Sequence, residues 1–239
     1  MTKIERQQLL AILDKRYNHQ HPLAGVRLAC QIIFLRLRLM FIAMGKRAFD
    51  IMGSGFLLLV LSPLFLFLGG MVRLDRGPAF YSQDRIGRHG RRFRFWKFRS
   101  MVTNADKLRE ELEKQNEMEG GVIFKMTNDP RITPIGRILR RTSLDELPQL
   151  WNVFVGDMSL VGPRPPLPQE VDQYTSRERL RLEGNQGITC TWQVSGRSNI
   201  PFNEQVAMDI DYIENQSLWN DIKLLLRTLP AVITGRGAT

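Results

Sequence analysis

The chain has 239 residues, 43% of them apolar, which suits one or two domains with a real core and excludes both wholesale disorder and a polytopic membrane protein. Thirty-four Lys and Arg against 24 Asp and Glu leave a net charge of +10. That excess asks for an anionic partner: nucleic acid, a phosphorylated substrate or an acidic membrane surface. Two distant cysteines, Cys30 and Cys190, and three scattered histidines are neither a disulfide framework nor a zinc cluster. They suit reduced thiols in a cytosolic setting and leave a hard cation on oxygen ligands as the metal class to expect.

Residues 1–44 form a leader without the basic, apolar and cleavage-site order of a signal peptide. Its second half, Val26 to Met44, is apolar but carries Arg27, Arg36 and Arg38. This reads equally well as an interfacial helix or as an amphipathic helix on a core. Residues 45–76 hold the next unit. Ile51 to Val72 runs 22 residues without a charge, about 33 Å as a helix at ~1.5 Å per residue, long enough to cross a bilayer. Ser62-Pro63 sits in its middle, where proline removes a backbone donor and clashes with the preceding turn. Lys46 and Arg47 precede the run and Arg73 and Arg76 follow it. Two basic flanks and a central break favour a re-entrant hairpin over a straight span or a buried soluble helix.

Residues 77–239 read as a globular domain, α/β and mostly helical with a small sheet. Pro78 to Ser82 and Phe93 to Met101 suggest strands around a Gly- and Arg-rich turn from Arg85 to Arg94. Ala105 to Glu117 is a charged helix with Glu110 and Lys114 at i,i+4 spacing. Thr133-Pro134 opens a helix. Gly187 to Val194 reads as a strand, and Phe202 to Asn215 and Leu218 to Thr228 read as helices.

The chemistry is expected at Thr142-Ser143-Leu144-Asp145-Glu146-Leu147-Pro148. Ser143 and Glu146 have capping-box spacing, and a helix starting nearby would favour anions. Taken alone, Asp145 and Glu146 are adequately explained as acidic cap residues. Their basic surroundings argue for more: Lys97, Arg99, Lys125, Arg131, Arg137, Arg140, Arg141 and Arg164 lie within 70 residues of sequence around the pair. Arginine forks suit phosphate oxygens, and Gly162-Pro163-Arg164-Pro165 is a stiff loop able to fix one of them. Carboxylate, divalent cation and arginine together make a phosphoryl-transfer set. Two other patterns are weak. Gly87-Arg88-His89-Gly90 resembles the GXXG loop of a nucleic-acid-binding domain but suits a hairpin turn. Asp209-Ile210-Asp211 matches a metal-binding DxD pattern but falls in a predicted helix, where i and i+2 face different ways.

Several ordered blocks carry a family resemblance. They are Lys46-Arg47-Ala48-Phe49-Asp50, the Ser62-Pro63 break, Arg85-Ile86-Gly87, Lys97-Phe98-Arg99-Ser100-Met101 and Asp129-Pro130-Arg131-Ile132-Thr133. Ser143 to Gln149, Gly156 to Pro165 and Trp192-Gln193-Val194-Ser195-Gly196-Arg197 complete the set. Over about residues 45–237 the chain resembles the bacterial sugar transferases, the polyprenyl-phosphate hexose-1-phosphate transferases. The resemblance implies a monotopic protein of the bacterial cytoplasmic membrane with its catalytic domain on the cytoplasmic face. It implies UDP-sugar and undecaprenyl phosphate as substrates, membrane lipid as a partner, no nucleic acid, and Mg²⁺ as cofactor. Asp145 would be the nucleophile and Glu146 its partner, both holding the metal. Lys97, Arg99, Arg131, Arg141, Arg164 and Arg197 are the phosphate-binding candidates. Alternatives are a conventional glycosyltransferase releasing UDP and a basic nucleic-acid-binding protein, and the broken apolar hairpin argues against the second. The residues name neither the sugar nor the oligomeric state, and a homodimer is among the states they allow. Gln186 and Cys190 replace the Pro and Gly common in the family, which puts substrate choice near that loop in question.

Overall fold

The computed structural model describes residues 3–17, 22–105, 107–108, 126, 129–196 and 199–234. Among these residues the chain order is α1 (Lys3–Tyr17), α2 (Pro22–Val60), α3 (Ser62–Arg73), the strands β1 (Phe80–Ile86) and β2 (Arg92–Phe98), and α4 (Pro134–Arg141). It continues with α5 (Gln149–Val155), β3 (Ser159–Val161), α6 (Pro168–Asp172), α7 (Ser176–Arg179), β4 (Gly187–Thr189) and α8 (Thr191–Ser195), and ends in α9 (Phe202–Glu214) and α10 (Leu218–Thr234). The result is mostly helical with two small two-stranded sheets. Beyond its first residues, the helix expected from Ala105 to Glu117 lies outside the described residues, as do Lys125 and Arg197.

The 39 residues of α2 run unbroken through position 44, joining the leader to the apolar unit. The break comes at Leu61. Pro63 cannot donate to the carbonyl of Leu59, and the Ser62 hydroxyl fills that place, donating to the same oxygen at 2.8 Å. The two helices meet there at a 63° bend. No single described helix is long and apolar enough to cross a membrane, whereas the bent pair Ala29–Val60 and Ser62–Arg73 has that length and composition together. One side of the pair packs on the domain. Leu68 and Val72 join Phe98 and Leu139 in a core cluster, and Phe49, Leu57 and Leu58 pack against the main core. The other side stays open, with Leu59 75% and Leu66 80% exposed.

The basic residues that precede the apolar run, expected only as one of its two flanks, are committed to partners within the protein. Lys46 is buried, and its Nζ donates to Asp221 Oδ2 at 2.6 Å and to the Val161 carbonyl at 3.1 Å. Arg47 donates to the carbonyls of Val153 at 2.6 Å and Phe154 at 2.8 Å, in the last turn of α5. Asp50 Oδ1 accepts from the Ser159 hydroxyl at 3.0 Å and the Leu160 N–H at 2.9 Å, securing β3. Arg73 and Arg76 remain exposed.

β1 and β2 form an antiparallel hairpin in which Tyr81 pairs with Lys97, Gln83 with Phe95 and Arg85 with Phe93. These six share one face. The GXXG pattern is the hairpin turn: Gly87 N–H donates to the Arg91 carbonyl at 2.7 Å, and His89 takes φ 55°. β3 and β4 pair in parallel. They approach closely because Gly162 and Gly187 lack side chains: a Cβ on Gly162 would stand 2.0 Å from the Asn185 carbonyl oxygen, and one on Gly187 would stand 2.1 Å from the Gly162 nitrogen. The strand expected to Val194 stops at Thr189, and α8 follows. Ile188, Cys190, Trp192 and Val194 alternate as in a strand, a pattern that a short apolar run cannot distinguish from a buried helical turn. The main core gathers Phe93 and Phe95 of the hairpin, Leu150 and Val153 of α5, Leu160 and Val161 of β3, Tyr212 of α9 and Leu224 of α10. Each fully buried side chain of this kind stabilises by ~1.5–3 kcal/mol.

Candidate active site

Three segments converge on the two carboxylates. β2 supplies Lys97. The second is the connection between α4 and α5. Thr133 caps α4, its hydroxyl accepting from the Gly136 N–H at 2.9 Å, and its N–H donates to the Ser100 carbonyl at 3.1 Å, seating α4 on the end of the hairpin. α4 then ends at Arg141, and Ser143 takes φ 56°, a left-handed conformation that turns the chain. Asp145 and Glu146 lie in the 3-10 turn Leu144–Glu146, and Pro148 precedes α5. This corrects the expected capping box: the Ser143 side chain makes no cap bond, and the dyad stands ahead of a helix that begins at Gln149. Chain reversal, not a helix dipole, presents the carboxylates. The third segment is the loop after β3, anchored by Gly162 N–H to the Thr189 carbonyl at 3.0 Å and by Gly187 N–H to the Pro163 carbonyl at 2.8 Å. It carries Arg164.

Lys97 Nζ lies 2.8 Å from Glu146 Oε1 and 3.4 Å from Asp145 Oδ2. Arg164 Nη1 reaches Glu146 Oε1 at 3.5 Å, a loose contact that leaves its guanidinium a third exposed. Asp145 is buried, and Glu146 and Lys97 are half-buried. Burial raises the Asp145 pKa above its ordinary 3.8; Lys97 opposes the shift and the Glu146 charge adds to it. Burial acts the same way on Glu146, but Lys97 and Arg164 outweigh it and push that group down to about 2. Two adjacent carboxylates are thus driven apart by unequal access to the same cations.

Of the residues expected here, Asp145, Glu146, Lys97 and Arg164 come together. Arg99 is buried and donates to the Val72 carbonyl at 3.0 Å, closing the end of α3. Arg131 is buried against Asp129, with Nη2 to Oδ2 at 2.6 Å and Nε to Oδ1 at 2.9 Å. Arg141 is exposed. Its predecessor Arg140 is the α4 cation whose charge acts on Asp145; one residue along a helix is a turn of about 100°. Arg85 was also overlooked. Its Nη1 donates to the Pro165 carbonyl at 3.0 Å, and its guanidinium lies 5.3 Å from the centre of the Phe95 ring, which Lys97 approaches at 5.5 Å. The sequence reading ends the first strand at Ser82 and puts Arg85 in the turn, so its place on the Lys97 face follows only from the observed strand Phe80–Ile86. The DxD pattern forms no joint ligand set: Asp209 is buried on Arg181, Nε to Oδ2 at 2.9 Å, while Asp211 accepts from Asn215 at 2.9 Å. Gln186 and Cys190 are both buried, Gln186 donating to the Arg181 and Gly184 carbonyls at 3.0 and 3.1 Å.

Among the described residues no group of three or more His, Cys, Asp or Glu side chains gathers to hold a metal. Asp145 and Glu146 fit Mg²⁺ as part of a shell, since that ion is commonly held by one or two carboxylates with substrate phosphates and water completing it. A second cation also suits a carboxyl that Lys97 leaves incompletely compensated.

Residues 41–235 match the family model described as bacterial sugar transferase. The chain belongs to this family. Among curated relatives, the galactosyl transferase CpsE of Streptococcus agalactiae is 49% identical over 195 residues, 81% of this chain and 43% of that protein. An undecaprenyl-phosphate galactose phosphotransferase of Salmonella typhimurium is 46% identical over 196 residues, 81% of this chain and 41% of its own length. The exopolysaccharide production protein ExoY of Rhizobium meliloti is 41% identical over 199 residues, 82% of this chain and 88% of that protein. The chain therefore spans less than half of the first two relatives and most of the third. The family match starts within α2, so the residues that pin α2 to the domain lie inside the shared region.

Proposed function

We propose that this chain transfers a hexose-1-phosphate from a UDP-sugar to undecaprenyl phosphate, releasing UMP and forming undecaprenyl-diphospho-sugar. The observation that carries this reading is buried Asp145, 3.4 Å from Lys97 Nζ, beside a carboxylate that Lys97 and Arg164 already neutralise. The name of the Salmonella relative, an undecaprenyl-phosphate galactose phosphotransferase, points to the same class of reaction.

In this mechanism an Asp145 carboxylate oxygen attacks the phosphorus next to the sugar. The bond from that phosphorus to the bridging oxygen breaks, and its electron pair leaves with UMP. The phosphosugar is then held as an acyl phosphate on Asp145. An oxygen of undecaprenyl phosphate attacks the same phosphorus, and Asp145 departs as a carboxylate. Burial favours the protonated acid, so Asp145 must be ionised before it attacks, and Lys97 favours that form. Arg164 is placed to stabilise negative charge on the phosphate oxygens. Mg²⁺ on Asp145 and Glu146 would, when bound, add charge neutralisation at the same oxygens.

The lipid acceptor gives the bent α2–α3 pair a use. We read it as a re-entrant hairpin in the bacterial cytoplasmic membrane, broken at Ser62 and Pro63, with the catalytic domain on the cytoplasmic face. The reaction would then be the first membrane step of exopolysaccharide or O-antigen assembly.

The test is a nucleotide-release screen with undecaprenyl phosphate, Mg²⁺ and a panel of UDP-sugars, beginning with galactose and glucose. UMP is the expected product; UDP would establish a conventional glycosyltransferase instead. Asp145→Asn should abolish both UMP release and the covalent phosphosugar adduct. An adduct trapped on that variant, or full turnover by it, would remove Asp145 as the nucleophile.

A further inference from the structure

The loop that carries Arg164 is clamped from the hairpin side. Arg85 Nη1 donates to the Pro165 carbonyl at 3.0 Å, and the N–H of the next residue, Ile86, donates to the Pro166 carbonyl at 3.0 Å. The side chain and backbone of one strand end thus grip two consecutive carbonyls of the loop. Arg85 is itself fixed on two further sides, by the Phe95 ring beneath its guanidinium and by Gln83 Oε1, 3.4 Å from Nη2. Its Nε is buried without a hydrogen-bond partner among the described residues.

The electrostatics make this an unusual anchor. A neutral side chain could hold a carbonyl at less cost, because burying a guanidinium beside another arginine is unfavourable. The Arg164 charge and burial together lower the Arg85 pKa to about 10, burial being the larger cause. Arg164 in turn has a long contact to Glu146, at 3.5 Å. The Glu170 and Glu146 charges act against that lowering, and an anion engaging Arg164 would add to the compensation they give.

We infer that Arg85 is the positioning residue for Arg164: it fixes the Gly162–Pro166 loop through Pro165 and so holds Arg164 where it can capture a phosphate oxyanion. This deepens the proposed function and rests on its phosphate site. Arg85 itself need not touch substrate. Lysine cannot stand in for it, because an ammonium lacks the planar fork that stacks on Phe95 while donating to Pro165.

The test is a double-mutant cycle on the full chain, reading binding of inorganic pyrophosphate with Mg²⁺ by calorimetry. Arg164→Met and Arg85→Met should each weaken binding by about tenfold or more, and the double variant should be little worse than Arg164→Met alone, because coupled residues are non-additive. Arg85→Lys should resemble Arg85→Met in binding while unfolding near the wild-type temperature, which separates positioning from loss of fold. Strictly additive effects, or wild-type binding by both Arg85 variants, would overturn the inference while leaving the phosphate site standing. A wild-type chain that does not bind pyrophosphate would overturn the site and the inference together.

Discussion

Asp145 and Glu146 are neighbours in sequence with opposite electrostatic histories. Glu146 sits below its ordinary pKa of 4.5, at about 2, so the stability it adds is present above pH 4.5 and is lost as the pH falls towards about 2. Asp145 sits above its ordinary 3.8, so the stability associated with its acid form is full below that value and is lost as the pH rises through its folded pKa. Glu146→Gln should therefore lower the unfolding temperature at neutral pH, with a deficit that shrinks in acid. Asp145→Asn should raise it at neutral pH, with a gain that vanishes in acid. Thermal unfolding of both variants between about pH 7 and pH 3, in chelator, reads the two opposite slopes. A less stable Asp145→Asn protein at neutral pH would contradict the assigned burial cost.

At the scale of elements, the break between α2 and α3 and the turn between α4 and α5 show different levels of control. The first is local. Pro63 deletes one donor, Ser62 satisfies the stranded Leu59 carbonyl, and the 63° bend follows. Proline inside a helix costs ~3 kcal/mol, so Pro63→Ala should straighten the pair towards a span. Cysteine-accessibility labelling at both flanks should place them on one side of the membrane in the native protein and on opposite sides in the variant. Native flanks on opposite sides would refute the re-entrant reading. The second element was misread because its decisive feature is not local. Ser143-x-x-Glu146 has the spacing of a cap, but Ser143 adopts a left-handed conformation while the surrounding structure draws Glu146 to Lys97. The strand expected over Gly187 to Val194 failed for a related reason: residue alternation predicted a face but not the point where pairing with β3 ends at Thr189.

Across the whole molecule, three polar residues of α2 fasten the apolar pair to the rest of the protein. Lys46 is buried and meets Asp221 of α10 and the end of β3 at once. Lys46→Met should leave Asp221 buried and uncompensated, a loss of ~3–5 kcal/mol. Denaturant unfolding of the solubilised chain checks this, and replacing both partners with apolar residues should recover much of the loss. A variant as stable as wild type would show that the pair does not fasten the two parts. The same residues show what was legible beforehand. Lys46 and Arg47 were visible as basic residues beside an apolar run, but their partners lie more than 100 residues away.

Local sequence signals set the break at Ser62-Pro63, the hairpin turn, the helices that begin at Pro134, Phe202 and Leu218, and a carboxylate pair in an arginine-rich chain that resembles the sugar transferases. Those features rest on covalent geometry and short-range periodicity, which act within a few residues. Only the tertiary structure decided which cations reach the dyad. Lys97 lies 48 residues from Asp145, and Arg164 lies 18 from Glu146. Arg99 and Arg131, equally basic in the sequence, are turned to the Val72 carbonyl and to Asp129. Charge pairing requires a few ångströms of separation, and only the packing of the hairpin, the α4–α5 turn and the Arg164 loop against one another sets that separation.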